Sequence, residues 1–222
     1  MNFPNNNILI PNRLNKEIMF KYYFENFTKE NCSIISDIFF GAFQTQICCG
    51  MCNILSYYFE SFTYLLFRLE EIIKYNTNYS INIYDCLKYN QRMQKGYDMI
   101  PCTNCHSIIS NNYYDTIYFT PKIFVFIIKQ NKDFKINFEF YEMIDLSQYV
   151  VRKEIGCKYK LLGVVSRFGS PGSNEYFISF CRSPIDNLWY KYNNDLVSKV
   201  IDFKNEIIYS GSPEILFYQK IN

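Results

Sequence analysis

The sequence predicts an α+β protein rich in antiparallel strands. From Ser33 onward, short runs heavy in Phe, Tyr, Ile and Val alternate with turn residues, a texture of strands about four to eight residues long. Two other segments space their apolar residues at the helical interval instead. Two C-x-x-C pairs interrupt the strand pattern as an excursion from it. Hydrophobic residues make up 49% of 222 positions, enough for one sizeable core. No internal repeat and no Pro- or Gly-rich linker divides the chain.

In chain order, the first thirty or so residues are polar and Asn-rich, with a helix expected over Leu14 to Phe27. Its apolar positions are Ile18, Met19, Tyr22, Tyr23 and Phe27. Strands are expected at Leu55–Phe59 and Thr63–Leu69, then a short helix at Ile83–Gln91. Further strands are expected at Ile123–Ile128, Leu161–Val165, Tyr176–Cys181, Glu206–Tyr209 and Ile215–Tyr218.

A formal net charge of +2 argues against nucleic acid as the main ligand, because phosphate binding needs a clustered basic face. The lysines between Lys129 and Lys135 are diluted by Asp133 and Phe134 and read as a strand end or turn. No apolar run reaches the roughly 18 residues of a membrane span, and the opening residues do not resemble a signal peptide. The expected setting is intracellular, nuclear or cytoplasmic. The N-x-S/T triplets at Asn26, Asn31 and Asn78 are then chance matches in an Asn-rich chain. Nine cysteines, an odd number, point in that setting to metal binding and buried thiols rather than disulfides.

Cys49-Gly50-Met51-Cys52 and Cys102-Thr103-Asn104-Cys105 have the spacing that turns both thiolates of a knuckle toward one tetrahedral ion. Gly50 and Asn104 suit the tight turns. The expectation is one structural Zn2+ held by Cys49, Cys52, Cys102 and Cys105, with the pairs at the tips of two separate hairpins; free thiols are the alternative. A redox role is disfavoured, since neither pair opens a helix inside a βαβ unit. Cys48 would break the spacing, and Cys32, Cys86, Cys157 and Cys181 are expected as small core residues. His106, the one histidine, is expected as an exposed loop residue.

Several segments resemble the ubiquitin-specific proteases, and they occur in that family's order. Ile35-Ser36-Asp37-Ile38-Phe39-Phe40-Gly41 before the first cysteine pair resembles the opening of the family's fingers. Phe62-Thr63-Tyr64-Leu65 and Ile83-Tyr84-Asp85-Cys86-Leu87 before the second pair continue the likeness. Phe119 to Phe126 resembles "Leu-Pro-x-Ile-Leu", and Tyr159 to Val165 resembles "Tyr-x-Leu-x-Gly-Val-Val". Trp189 to Val197 resembles "Trp-x-x-Phe-Asp-Asp-x-x-Val", and Ile215 to Tyr218 resembles the closing "Ile-Leu-Phe-Tyr".

The resemblance implies a papain-like cysteine protease fold shaped as a hand, with zinc-bearing fingers at about 42–118 within a fingers-and-palm portion at 33–222. Residues 1–32 are then a remnant of the helical thumb or an N-terminal extension. It further implies ubiquitin or a ubiquitin-like protein as partner, possibly within a larger complex. Where the family has "His-x-Gly" and "Gly-His-Tyr", this chain has Arg167-Phe168-Gly169 and Asn174-Glu175-Tyr176. Glu175 thus stands at the general-base position, and Asn193 and Asn194 at the third catalytic position and its neighbour. Arg167, Gly169, Gly172 and Tyr176 are candidates for the loop that meets the ubiquitin tail. The family's "Gly-Asn-Thr-Cys-Tyr" box has no counterpart.

A thiol protease needs a thiolate and an imidazole to shuttle its proton. The expectation is therefore a catalytically inactive chain with an apolar palm surface left open. A truncated or split active deubiquitinase is the alternative. Arg167 and Glu175 are expected to form an exposed pair contributing about 0–1 kcal/mol.

Overall fold

A computed structural model describes residues 16–76, 80–95, 101–102, 104–107, 112–130, 136–152, 156–170 and 173–221. Helix α1 (Lys16–Asn31) leads into α2 (Ile34–Phe39), which Ser33 and Ser36 open with a reciprocal capping box. β1 (Gly41–Cys48) and β2 (Leu55–Phe62) form a hairpin in unbroken antiparallel register. Gly41 fits closely there, because a Cβ on it would lie 2.3 Å from the Phe62 ring unless that ring shifts. β3 (Leu65–Arg68), α3 (Leu69–Asn76), β4 (Ser80–Asn82), α4 (Ile83–Asn90) and β5 (Gln94–Lys95) follow. Asn82 caps α4 through the Tyr84 and Asp85 amides.

β6 (Asn112–Phe119) pairs with β1 and completes a four-stranded finger sheet in the order β2-β1-β6-β5. The remaining strands are β7 (Ile123–Lys129), β8 (Asn137–Glu139), β9 (Met143–Asp145), β10 (Lys158–Ser170), β11 (Ser173–Arg182), β12 (Trp189–Asn193), β13 (Leu196–Lys199) and β14 (Ser212–Lys220). An eight-stranded palm sheet runs β13-β12-β11-β10-β14-β7-β3, with β9 also paired to β10. β4 and β8 make a small parallel pair. One face of the palm sheet packs on α3 and α4, burying Phe67, Phe126, Leu216 and Tyr218 with Ile72 and Leu87.

The second core lies between α1 and the finger sheet, where Met19 and Phe20 meet Ala42, Phe59 and Tyr118. Here the expected helix face needs correction. Ile18 and Tyr22 are 55% and 50% exposed, and the packed face is Met19, Phe20, Tyr23, Phe24 and Phe27. The sequence KEIMFKYYFENF is apolar on too many sides for periodicity alone to choose one face. Residues 14 and 15 of the expected helix lie outside the described residues, as do Tyr79 and residues 131–135.

Glu206–Tyr209, expected as a strand, instead forms the end of a single π-helical turn at Lys204–Ile208, with Tyr209 as its C-cap. Its local carboxylates satisfy the backbone first: Glu206 accepts from the Ile201 and Asp202 amides, and Asp202 accepts from Asn205. Two of the four cysteines expected in the core are exposed. Cys86 and Cys157 are buried, but Cys32 follows the last residue of α1, and Cys181 takes the outward position after buried Phe180 in β11. Among the described residues no helix is long and apolar enough to cross a membrane.

Candidate metal centre and the palm ion cluster

The two cysteine pairs come together because both flank β1. Its last residue, Cys48, pairs with Leu55 on one side and with Asn112 on the other, so the first knuckle is the β1–β2 tip and the second precedes β6. The knuckles repeat one backbone pattern. Asn53 donates to the Cys49 carbonyl at 2.9 Å, and His106 to the Cys102 carbonyl at 3.0 Å. Cys49 donates to Ile54 and Cys102 to Ser107, each at 3.0 Å. The residues at positive φ are Asn53 (57°) and His106 (55°), not Gly50. The tight turn therefore closes just after each pair rather than inside it.

All four sulfurs of Cys49, Cys52, Cys102 and Cys105 lie within 4.8 Å of one another. Cys49 and Cys105 are 3.7 Å apart and Cys52 and Cys102 are 3.6 Å apart. A tetrahedron with metal–sulfur bonds of about 2.3 Å has edges of about 3.8 Å, so the donor set fits a tetrahedral ion. Hydrogen bonds around the sulfurs divide them. The Cys52 amide, the Ser107 hydroxyl and the Met51 amide pull Cys49 down to about 6. Cys52 goes up to about 11: the Ile54 amide favours its thiolate, but burial and the three neighbouring sulfurs outweigh that. Four thiolates this close repel one another unless a cation sits among them. Cys48 lies outside the cluster with its sulfur toward the Asn53 carbonyl, and His106 is exposed and takes no part in it.

The palm holds the second expected constellation, differently arranged. Arg167 Nη1 bonds Glu175 Oε1 at 3.0 Å, and its Nε bonds Glu214 Oε1 at 2.8 Å. The three side chains are only 14%, 21% and 27% exposed, so the exposed pair expected from the sequence is a largely enclosed triad. Glu214 was not legible in advance. It is the extra residue where β14 bulges, between Ile215 opposite Val165 and Pro213 opposite Ser166. Arg167 on β10 thereby ties both neighbouring strands. A guanidinium has no lone pair to take up a proton, and Glu175 is engaged as its acceptor.

Gly169 sits in β10 at the register shift between Phe168 and Ser170, with φ of 95°, where a Cβ would lie 2.4 Å from the Asn174 carbonyl oxygen. Tyr176 is half exposed and stacks on Phe168. Gly172 lies outside the described residues. Asn193 ends β12 opposite Leu196, and Asn194, at φ of 51°, begins the two-residue turn between them.

The family model for ubiquitin carboxyl-terminal hydrolase matches residues 10–218. The chain belongs to that family. Ubiquitin carboxyl-terminal hydrolase Usp2 of Drosophila melanogaster is 21% identical over 204 residues, 88% of this hydrolase-family chain. Probable ubiquitin carboxyl-terminal hydrolase 16 of Schizosaccharomyces pombe is 25% identical over 175 residues, 75% of the chain. The chain spans only 21% and 36% of the length of these two relatives.

Among solved structures, a chain of the yeast SAGA DUBm superposes with a TM-score of 0.67 at 20% identity, covering 96% of this chain and 46% of that one. A chain of the SAGA DUB module bound to monoubiquitin gives 0.68 at 18% identity, with 94% and 49% covered. These likenesses establish the ubiquitin-hydrolase fold for the palm and fingers.

Proposed function

We propose that this chain is a catalytically inactive member of the ubiquitin carboxyl-terminal hydrolase family that works by binding. Its ligand is ubiquitin or a ubiquitin-like protein, and it acts alone or as a scaffold subunit of a larger assembly. The observation that carries the reading is the engagement of Glu175 by Arg167 at the position where the family keeps its general base. The one histidine, His106, belongs to the finger knuckle instead. With neither an imidazole nor the family's cysteine box, the rate falls by roughly six orders of magnitude, by analogy with serine-protease knockouts. Asn193 and Asn194 then have no imidazole to orient and act as strand end and turn.

The cysteine cluster holds a structural Zn2+ through Cys49, Cys52, Cys102 and Cys105. Its contribution is to clamp the finger tips, and the sulfur spacing supports that assignment over free thiols. Residues 33–222 form fingers and palm, the fingers spanning about 42–118, and residues 1–32 are a remnant of the thumb or an extension. Arg167, Gly169, Gly172 and Tyr176 border the path of the ubiquitin tail. A net charge of +2 supports a protein ligand over nucleic acid, in the nucleus or cytoplasm.

Titration calorimetry with ubiquitin and hydrolysis of a fluorogenic ubiquitin C-terminal amide test the proposal together. Binding without turnover is the expected result, and turnover by the purified chain overturns it. Elemental analysis should find one zinc per chain, and chelation should unfold the fingers. The second reading, a split active enzyme, draws support from the chain's covering about half of the solved structures it matches. It requires that a ubiquitin electrophile label an assembly containing this chain.

A further inference from the structure

The palm sheet ends in an open edge. β13 is its terminal strand, and among the described residues no strand pairs with its outer side. All four of its residues, Leu196 to Lys199, are exposed, Leu196 at 72% and Val197 at 58%. The chain that follows does not return to cover them. Val200, Phe203 and Ile207 carry it onto the hydrophobic core, where Phe203 meets the Trp189 ring at 5.3 Å. An uncovered edge bearing apolar side chains is a template for another strand.

Register fixes what that edge offers. The Val200 amide donates to the Trp189 carbonyl at 2.9 Å, so the backbone of Val200 points inward to β12. Bonding alternates along an antiparallel pair. Leu196 and Ser198 therefore also point inward, and Val197 and Lys199 present their amides and carbonyls outward. Asp195, in the turn before the strand, stands two positions ahead of Val197 and thus in the outward set. Among the described residues, neither Asp195 nor Lys199 takes part in an ion pair.

These positions match a second copy of themselves. Two β13 strands laid antiparallel about a twofold axis at Val197 set Asp195 of each copy opposite Lys199 of the other. Val197 then exchanges two hydrogen bonds with its counterpart. An axis at Ser198 instead puts Lys199 against Val197, and an axis at Leu196 puts Asp195 against Val197. Both alternatives lose the two ion pairs and set a charge beside an apolar side chain. A lysine on an edge strand ordinarily discourages pairing. Here it discourages every register except the one that supplies Asp195.

We propose that β13 pairs with β13 of a second copy of this chain, antiparallel and centred on Val197, so that two palm sheets join into one. The twofold arrangement uses both edges at once and closes at a dimer. Only one short strand is buried per copy, which makes the dimer weak and reversible. The inference goes beyond ubiquitin recognition and does not rest on it.

Sedimentation velocity of the full chain under reducing conditions should show a monomer–dimer equilibrium that shifts toward monomer as salt rises. Asp195→Lys and Lys199→Asp should each raise the dissociation constant at least about tenfold, and the two together should restore it. Val197→Pro removes an outward amide that β12 does not use, so it should keep the fold and abolish the dimer. Lys122→Asp, beside β7 in the other half of the sheet, should change nothing. Circular dichroism checks each variant, and the charge exchange decides the matter if Val197→Pro misfolds. A chain that stays monomeric up to roughly 100 μM overturns the proposal. So does a dimer indifferent to the single charge variants, or one that the double variant fails to restore. Assemblies that grow beyond the dimer with concentration overturn it equally, because a twofold edge pairing must close.

Discussion

Asn53 and His106 hold the same conformation at matching places in the two knuckles, at φ of 57° and 55°, each donating its amide to the first cysteine of its pair. His106 is therefore a turn residue that happens to be a histidine. His106→Asn should keep the full metal stoichiometry and the thermal midpoint, since Asn tolerates the left-handed region. His106→Val should lower stability by about 1–2 kcal/mol through its branched Cβ. Loss of metal from the Asn variant, measured by elemental analysis, would give the imidazole a ligand role.

Arg167 separates two carboxylates that belong to different strands. Arg167→Met removes the guanidinium shared by the partly enclosed Glu175 and Glu214 and should destabilise the chain by about 2 kcal/mol. That is below the ~3–5 kcal/mol of a fully buried pair because each group keeps some contact with water. Chemical denaturation reads the difference, and an unchanged midpoint would reduce the triad to decoration. On the proposed reading, in which Glu175 occupies the general-base position, Glu175→His alone should still give no hydrolysis by the purified chain.

Asp115 is raised above its ordinary 3.8 by burial, which outweighs the hydrogen bond from Thr45 at 2.6 Å. A carboxyl with a raised folded pKa binds its proton more tightly in the folded chain, so stability falls as pH rises through the window that opens at 3.8. Asp115→Asn can still accept from Thr45. Its stability advantage should grow as pH rises from 4 and level off near neutrality. Urea titrations across that range that showed a constant or shrinking advantage would contradict the assignment.

Gly41→Ala places a methyl against the Phe62 ring, itself held by Phe43 and Phe124 at centroid distances of 4.5 and 5.6 Å. Because these two rings limit how far Phe62 can shift, the expected loss is about 1–3 kcal/mol. A thermal scan of the variant with no downward shift would show that the ring moves freely.

Much of the architecture was readable from short stretches. The C-x-x-C intervals named the four sulfurs that cluster, and the Ile83–Gln91 segment ended within one residue of its helix. The misreadings share a cause. Glu206–Tyr209 has a strand's composition, but the Glu206 and Asp202 carboxylates hold the amides just before it, and the Glu206 and Tyr209 amides close helical bonds to the Asp202 and Lys204 carbonyls. α1 offered several apolar faces, and only the position of Ala42 and Phe59 chose between them. Cys181 looked like a core residue until the register placed Phe180 inward.

Interactions within a few residues, such as thiol spacing, capping and apolar period, are written into the chain and need no partner to be recognised. The Arg167–Glu214 contact spans 47 positions and depends on a one-residue bulge in β14. The palm sheet likewise exists only because strands far apart in the chain align. Strand register comes from the packing of the whole sheet at once, and a shift of one residue would turn every side chain to the opposite face.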